Sequence, residues 1–358
     1  MKSLHVGSAT IDIICIVAAE NIERMTFTNE GKSFLMVESG RKVPAESITD
    51  HVGGGACNTA VSLARRGWRT EVLARVGDDL NADAVREHLD RYGVGQDRLI
   101  TDPGAATGTS VMIASHDRNA SIFVQRGANE NLTPDDLPES GFAGYKMVYV
   151  APLSSGSADC FPAIVAAAKR SGATVISNPG IRQLTSRTAA FIGALAKIDL
   201  LSVNRVEAEA LVPAFAARSE GPDPVPRADA PALLRRGLSF GGFEMGLLRF
   251  LHEVQAAGPR WVCLTDGTDG AWLAAPEGVF WRPSAPAEVA GTAGAGDSYT
   301  STIAAALTEG ASPQDAMLEA AVNSASVVSV VDTTSGLLNR AGLDEARQRV
   351  GEMPLYRA

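Results

Sequence analysis

Four cysteines serve 358 residues, and no two of them form a C-x-x-C pair. Cys15, Cys57, Cys160 and Cys263 stand far apart among apolar or small neighbours, which argues against a disulfide framework, a zinc site or a redox pair. They read as buried thiols in a reducing cytoplasm. Basic clusters are equally scarce. No run of Lys and Arg exceeds two, and 32 basic against 41 acidic side chains leave a net charge of -9, so neither nucleic acid nor an acidic membrane surface is expected as a partner. No apolar window reaches membrane length, and Met1-Lys2-Ser3-Leu4-His5-Val6 passes directly into strand-like sequence, so neither a signal peptide nor a transmembrane helix is expected. Internal repeats and low-complexity tracts are absent too. What remains is a chain long enough for one large α/β domain or two smaller ones, with ample material for a core and a small molecule as its natural partner.

Glycine is abundant, and one of its clusters is informative. Gly291-Thr292-Ala293-Gly294-Ala295-Gly296-Asp297 runs straight into the helix-forming stretch from Ser298 to Leu307. Such a loop turns tightly and aims backbone N–H groups off a helix N-terminus, which attracts anions. A carboxylate beside a bound phosphate would repel it unless it were taking up a proton, so Asp297 reads as a general base. The same residue also reads as the acidic cap of a glycine-rich strand-to-helix turn, and this segment alone leaves both open.

Taken in order, Leu4-His5-Val6-Gly7-Ser8-Ala9 is a first strand, with Asp12 expected at its end, where ligands of parallel α/β sheets sit. Residues 33 to 52 hold strand-like Phe34-Leu35-Met36-Val37-Glu38, a Ser39-Gly40 turn and a second extended piece toward Val52. Gly31-Lys32-Ser33 is not a P-loop, because Thr26 occupies the required earlier glycine position and no apolar strand leads in. Gly53-Gly54-Gly55 opens a helix that ends at Gly67, and Asn58 lies in its first turn, either offering a donor and an acceptor to a hydroxyl-rich ligand or serving the helix start. A strand from Thr70 to Gly77 and a helix from Asn81 to Arg91 continue the βαβ pattern.

Residues 107 to 127 interrupt it. Thr109 to Ala114 and Ser121 to Gln125 are β-rich and joined by the polar turn His116-Asp117-Arg118-Asn119-Ala120, a hairpin signal. Alternation then resumes with Met147 to Ala151, a helix to Arg170 capped at Gly172, and Thr174 to Ser177, so the sheet is expected to be mostly parallel. Asn204 ends the strand from Asp199, and Glu207 follows one turn on. The pair could hold a hydrated Mg²⁺ and its phosphates, or could be an N-cap with a helix-stabilising acid. Pro222, Pro224, Pro226 and Pro231 mark an exposed loop. Phe243, Leu247, Phe250, Leu251 and Val254 read as one amphipathic helix, and Trp261 to Thr265 as a buried strand. That strand ends in the second glycine turn, Asp266 to Ala271, placed to approach a nucleotide. Ser312-Pro313 opens a helix through Asn323 toward Val331.

These signals share an order. Gly53-Gly54 with Asn58, Gly127-Ala128-Asn129, Asn204-x-x-Glu207, Thr265-x-Gly267-x-x-Gly270 and Gly294-Ala295-Gly296-Asp297, with an early Asp12 and a hairpin insertion, resemble the ribokinase-like (pfkB) carbohydrate kinase family over nearly the whole chain. The resemblance implies an α/β fold with a mostly parallel central sheet flanked by helices. It implies a single kinase domain over residues 1–358, with a small β lid from about 15–50 and 105–127. The implied activity is ATP-dependent phosphorylation, with Mg²⁺, of a hydroxymethyl group on a small sugar. A nucleoside is the alternative acceptor, and a non-catalytic sugar-binding relative a further reading, opposed by the intact loop and Asp297. Asp12, Gly53, Gly54 and Asn58 would hold substrate hydroxyls. Asn204 and Glu207 would organise metal and phosphates, through water, and Thr265, Gly267, Gly270 and Asn323 would line the nucleotide site. Gly294, Ala295 and Gly296 would form the anion hole, with Asp297 as base.

Three positions depart from that family's pattern. Gly291 stands where an acid is usual, which leaves a monovalent-cation site open. Asn178-Pro179-Gly180-Ile181-Arg182 replaces an Asp-Pro-x-x-Arg-like element, so no substrate role transfers to residue 178. Tyr299 replaces a common Phe, a swap of similar ring size. A lid would exclude water that competes for the phosphoryl group. Its exposed edges would be buried by pairing two lids in a homodimer. Met36, Met112 and Phe123 are the lid residues that could pack on a nucleobase, or equally form the lid's own core.

Overall fold

The computed structural model of the chain describes residues 1–27, 32–36, 38–40, 42–114, 120–137, 141–216, 223 and 226–358. Short, mostly aliphatic strands build the main sheet, the composition expected where both faces are covered. Alternate residues divide between the two sides. Val148 and Val150 join one core with Phe161, Leu211 and Phe250, whereas Met147 and Tyr149 join another with Leu63, Ile303 and Met317. That alternation places helices Phe161–Arg170, Arg205–Ala216 and Leu247–Ala256 on one face. Gly55–Arg65, Ala295–Glu309 and Pro313–Val328 cover the other.

Among the described residues the sheet has ten strands. From Leu99–Thr101 it runs through Arg69–Val76, Lys2–Val6, Met147–Val150, Thr174–Ser177 and Leu200–Asn204 to Trp261–Thr265, each parallel to its neighbour. Ala271–Ala275, Gly278–Arg282 and Tyr356–Arg357 extend it antiparallel. The expected mostly parallel α/β sheet flanked by helices is therefore the architecture observed. Among the described residues no helix is long and apolar enough to cross a membrane.

A second sheet stands apart, in the order Ala45–Gly53, Thr10–Val17, Gly108–Ala114, Ala120–Gln125. Its central pair is parallel and its outer pairs antiparallel. This corrects the expected place of Asp12. The chain turns at Gly7 to Ala9 and enters a new strand at once, so Asp12 lies inside the second sheet and not at the end of the first strand. Lys32–Met36 pairs with Glu23–Phe27 in a separate ribbon instead of extending that sheet. Phe243 belongs to a hairpin, Leu238–Phe240 with Phe243–Met245, because Gly241-Gly242 supplies a tight turn, and the amphipathic helix begins at Leu247. The last long helix stops at Val328. Cys57, Cys160 and Cys263 are buried, and Cys15 is only half-buried. Residues 116 to 119, Gly31, Val37, Pro222 and Pro224 lie outside the described residues.

The two sheets are tied where the chain passes between them. Asn129, buried, accepts from the Ala9 N–H at 2.9 Å and donates to the Ala9 carbonyl at 2.8 Å, so both backbone groups at the start of the second sheet are met by one amide. Its neighbour Gly127 has φ 52, and a side chain there would stand 2.0 Å from the Ala106 carbonyl. The Gly127-Ala128-Asn129 motif is thus a joint. Asn129→Ala should leave both Ala9 groups unmet and lower the unfolding free energy by about 1–3 kcal/mol, the scale of a buried polar group left unpaired. Denaturant titration checks this, and an unchanged midpoint would remove Asn129 from that role.

Candidate active site

The helix Ala295–Glu309 begins after Gly294, whose φ of 76 suits glycine and whose missing side chain makes room for Thr333, 2.8 Å from where a Cβ would stand. First-turn amides of a helix have no intrahelical acceptor, and here they border open space, since nothing lies within 4 Å of the position a Gly296 side chain would take. The loop is therefore shaped to receive an anion. Asp297 does not cap its own helix: the helix start carries no side-chain cap bond, and Asp297 Oδ2 instead accepts from Asn58 Nδ2 at 2.8 Å. The other oxygen, Oδ1, faces Gly55, 3.7 Å from where a side chain there would begin. Gly55, absent from the expected site, is required by Ala151, whose Cβ would stand 2.8 Å from a side chain there.

Burial pushes the Asp297 carboxyl up to about 6; the Asn58 bond opposes this, and the nearby charge of Asp12 adds to it. Burial likewise pushes Glu207 up to about 7, against the bonds it receives from Asn204 and with a further push from Asp297. Two buried acids with raised proton affinity, one of them pushed further by the other, are a pattern characteristic of proton-transfer sites.

Asp12 sits on the second sheet's side. Its Oδ1 accepts from Ser110 at 2.6 Å and from Thr10 at 3.3 Å, while Oδ2 occupies the space a Gly53 side chain would fill, 1.9 Å from the ideal Cβ. Gly53 is needed for Asp12 to reach its position, and Gly54, with φ 94, would press a side chain onto the Ser8 carbonyl. Asn58 is more committed than its sequence position suggests. One amide hydrogen goes to Asp297 and its oxygen accepts from Thr333 at 2.8 Å, leaving one hydrogen for a ligand.

A second group lies at the ends of Leu200–Asn204 and Trp261–Thr265. Asn204 and Glu207 form a reciprocal cap: the Asn204 N–H donates to Glu207 Oε2 at 2.8 Å, and the Glu207 N–H donates to Asn204 Oδ1 at 2.9 Å. This fixes the helix start and still leaves one Glu207 oxygen and the Asn204 amide hydrogens. Beside them is a cavity of about 490 Å³ lined by Thr265, Gly267, Asp266, Arg205 and Arg236 among others. The two arginines were not apparent from sequence. Asp266 accepts from Arg205 Nε at 2.8 Å and from Arg236 at 2.9 Å, Arg205 also pairs with Glu209 at 3.0 Å, and Asp269 lines the same cavity, so the two guanidinium groups there are balanced by carboxylates. Arg236 comes from a short helix between the proline-rich stretch and the 238–245 hairpin, which nothing in the local pattern connects to this strand end.

Two expected residues do not join the cavity. Asn323 is buried, donates to Thr302 at 2.8 Å and accepts from the Leu338 N–H at 2.9 Å, so its amide is spent on helix packing. Gly270 is required because a side chain would stand 2.2 Å from the Arg282 carbonyl, a constraint of the sheet and not of a ligand. Asn178 donates to the Ser202 carbonyl at 2.9 Å and bridges two strand ends. A side chain at Gly291 would meet the carbonyls of Val330 and Val331 at 3.1 Å each, a tight fit. A separate cavity of about 330 Å³, lined by His51, His88 and Asp332 among others, contains none of these groups.

The pfkB family carbohydrate kinase model matches residues 32–339. An ATP-dependent ribose-1-phosphate kinase of Halopiger xanaduensis is 27% identical over 72% of this chain and 74% of its own length. The chain spans 39% of two other curated relatives and 48% of a third. Among solved structures, Arabidopsis thaliana ribokinase complexed with ribose and ATP has a TM-score of 0.70 at 22% identity, covering 96% of this chain and 97% of that one. A Burkholderia thailandensis nucleoside kinase in complex with inosine has a TM-score of 0.72 at 16% identity, covering 99% and 100%. The shared fold is ribokinase-like.

The raised carboxyl has a consequence for stability. A group whose folded pKa, about 6, exceeds its ordinary 3.8 favours folding while protonated. That contribution is fully present below the unfolded value and is lost as pH rises through the folded one. Asp297→Asn, which keeps an acceptor for Asn58, should therefore melt at a higher temperature than the wild type at pH 8, with the difference closing toward pH 4. Thermal unfolding at the two pH values decides this, and a variant less stable at both would show that burial does not strain the carboxylate.

Proposed function

The chain belongs to the pfkB family of carbohydrate kinases, and we propose that it transfers the γ-phosphoryl group of ATP to a hydroxymethyl group of a small sugar. The observation that carries this reading is the unpartnered Oδ1 of a half-buried, pKa-raised Asp297 at the amide-lined N-terminus of its helix. An alcohol becomes a competent nucleophile only as its proton leaves, and a carboxylate with a pKa near working pH is suited to take it. The first-turn amides then stabilise charge on the group in transfer. Asp12, held by Ser110, accepts from sugar hydroxyls, and the free Asn58 hydrogen donates to one.

ATP binds in the cavity beside Thr265 and Gly267, where Arg205 and Arg236 offer guanidinium donors. Glu207 retains one carboxylate oxygen and Asn204 its amide hydrogens, a donor set suited to Mg²⁺ that keeps most of its waters and rides on phosphates. Among the described residues no cluster of three or more His, Cys, Asp or Glu could hold a metal, so a closed protein cage is not the fitting mode. When bound, Mg²⁺ would neutralise phosphate charge. The second sheet, carrying Asp12 and Ser110, acts as a lid on a single kinase unit. The free thiols fit a cytoplasmic protein.

The relatives support a sugar or a nucleoside as acceptor, and the register favours the sugar. Met112 shares a face with Ser110 and hence with Asp12, but Phe123 pairs with Val111 on the opposite face, and Met36 lies on the separate ribbon. One of the three residues considered for a nucleobase is thus on Asp12's side.

Asp297→Asn should bind ATP normally and lose roughly 10²- to 10⁴-fold in kcat, the range for a lost general base. ADP release over a panel of sugars, nucleosides and hydroxymethylpyrimidine identifies the acceptor and supplies the assay, and turnover by this variant near the wild-type rate would end the base assignment. Glu207→Gln should raise the Mg²⁺ concentration needed for half-maximal rate while leaving sugar binding without nucleotide unchanged. Asp12→Ala should weaken acceptor binding by about 1–3 kcal/mol with ATP affinity intact; calorimetry showing equal acceptor affinity would place the sugar elsewhere.

A further inference from the structure

Asn58 must present one particular edge of its amide to Asp297. An ionised carboxylate has no hydrogen to give, so the Asn58 N–H must face it, as the 2.8 Å bond from Nδ2 to Oδ2 shows. The amide oxygen then points to Thr333, whose hydroxyl is 2.8 Å away. Two oxygens at that distance require a shared hydrogen, and only the hydroxyl can supply it. The other acceptor within reach of that hydroxyl, the Val52 carbonyl, is at 3.4 Å, so the proton is directed to Asn58. Thr333 is buried, 6% exposed. Its backbone is held in a turn closed by Asp332, which accepts from the N–H groups of Thr334 at 2.8 Å and Ser335 at 2.7 Å. The same Thr333 packs on Gly294, the first residue of the anion loop.

One residue outside every motif in the sequence therefore touches both the partner of the base and the loop that receives the phosphoryl group. We propose that Thr333 is a positioning residue for phosphoryl transfer, its hydroxyl holding the Asn58 amide in the only orientation that gives Asp297 a hydrogen bond. Without that hydroxyl the amide is free to turn over, which sets its oxygen against the carboxylate, removes the bond that favours the ionised base and repels its charge. The other groups that bear on Asp297 are Asp12 from the second sheet, Glu207 across the cleft and the buried Tyr149 of the main sheet. None of them bonds to Thr333.

This inference rests on the reading of Asp297 as the base, and two measurements separate the two. The first needs no acceptor: the Asp297 carboxyl is titrated by carbon NMR in aspartate-labelled, ligand-free enzyme, its resonance assigned by its loss in Asp297→Asn. Thr333→Val keeps the methyl packing on Gly294 and removes the hydroxyl, and should move the midpoint upward by about one pH unit, the scale of one hydrogen bond to a charged group. Thr333→Ser should restore the wild-type midpoint. The second is the pH profile of kcat/KM with the acceptor giving fastest ADP release. Its acid limb should move upward in Thr333→Val by the same amount. At pH 7 kcat should fall by about 2-fold, the loss of ionised base when a midpoint of about 6 moves up by one unit, far less than the 10²- to 10⁴-fold of a lost base, with KM for ATP unchanged. If Thr333→Val does not fold, Thr333→Ala carries the same comparison. A midpoint and acid limb in the hydroxyl-free variant that superimpose on the wild type, or a Thr333→Ser as impaired as Thr333→Val, would overturn the inference. An inactive Asp297→Asn beside an unperturbed Thr333→Val would overturn it alone and leave the base in place.

Discussion

The hydrogen bond from Asn58 to Asp297 joins residues 239 apart in the chain and sets the alignment on which the site depends. It fastens the first turns of helices Gly55–Arg65 and Ala295–Glu309. The same two helices meet again at Ser62 and Ser301, 2.8 Å apart, and at their far ends, where Arg66 and Trp68 both donate to Glu309. Contacts that advance in step along both helices make them parallel neighbours, so their N-termini open on the same edge of the sheet. One start brings Gly53 to Asn58, the other the loop of Gly294 to Gly296 with Asp297. The relative position of these groups is therefore governed by helix packing, which is far stiffer than a loop.

Electrostatics follows from that packing. Asp297 and Glu207 are buried enough for desolvation to dominate, and each is held partly ionised by one amide partner, Asn58 for the first and Asn204 for the second. The opposing effects leave both carboxyls near neutrality, where small changes in their partners shift protonation. The capping pair of Asn204 and Glu207 shows how one contact serves two ends. It satisfies the amides of a helix start and still leaves a carboxylate oxygen at the cavity beside Thr265 and Gly267. Arg205 and Arg236 are gathered on Asp266 at the end of a neighbouring strand, where Glu209 also pairs with Arg205.

The second sheet depends on a different constraint, close approach of backbones. Asp12 reaches the cleft because Gly53 leaves it room, and its strand is fixed to the body because Asn129 satisfies both polar groups of Ala9. Several glycines that read as ligand contacts are steric necessities of this kind. Gly270 fits against the Arg282 carbonyl, Gly54 against the Ser8 carbonyl and Gly294 against Thr333. An anion loop, by contrast, needs the glycine whose side-chain position opens on empty space, which is Gly296.

Local patterns in the sequence determined the alternation of strands and helices, the mostly parallel sheet, the hairpin insertion and the glycine loop ahead of Asp297, because each rests on neighbours within a few residues. The motif order was enough to identify the family, since its spacing survives where identity is low. Tertiary structure alone decided what those residues do with their hydrogen bonds. Whether Asp297 caps a helix or meets Asn58, whether Asn323 lines a cavity or spends its amide on packing, and whether Phe123 faces the cleft depend on partners tens or hundreds of residues away. Gly55, Arg236 and Thr333 carry no local signature for the same reason: a missing side chain, a guanidinium or a hydroxyl acquires a role only from the group that the fold sets against it.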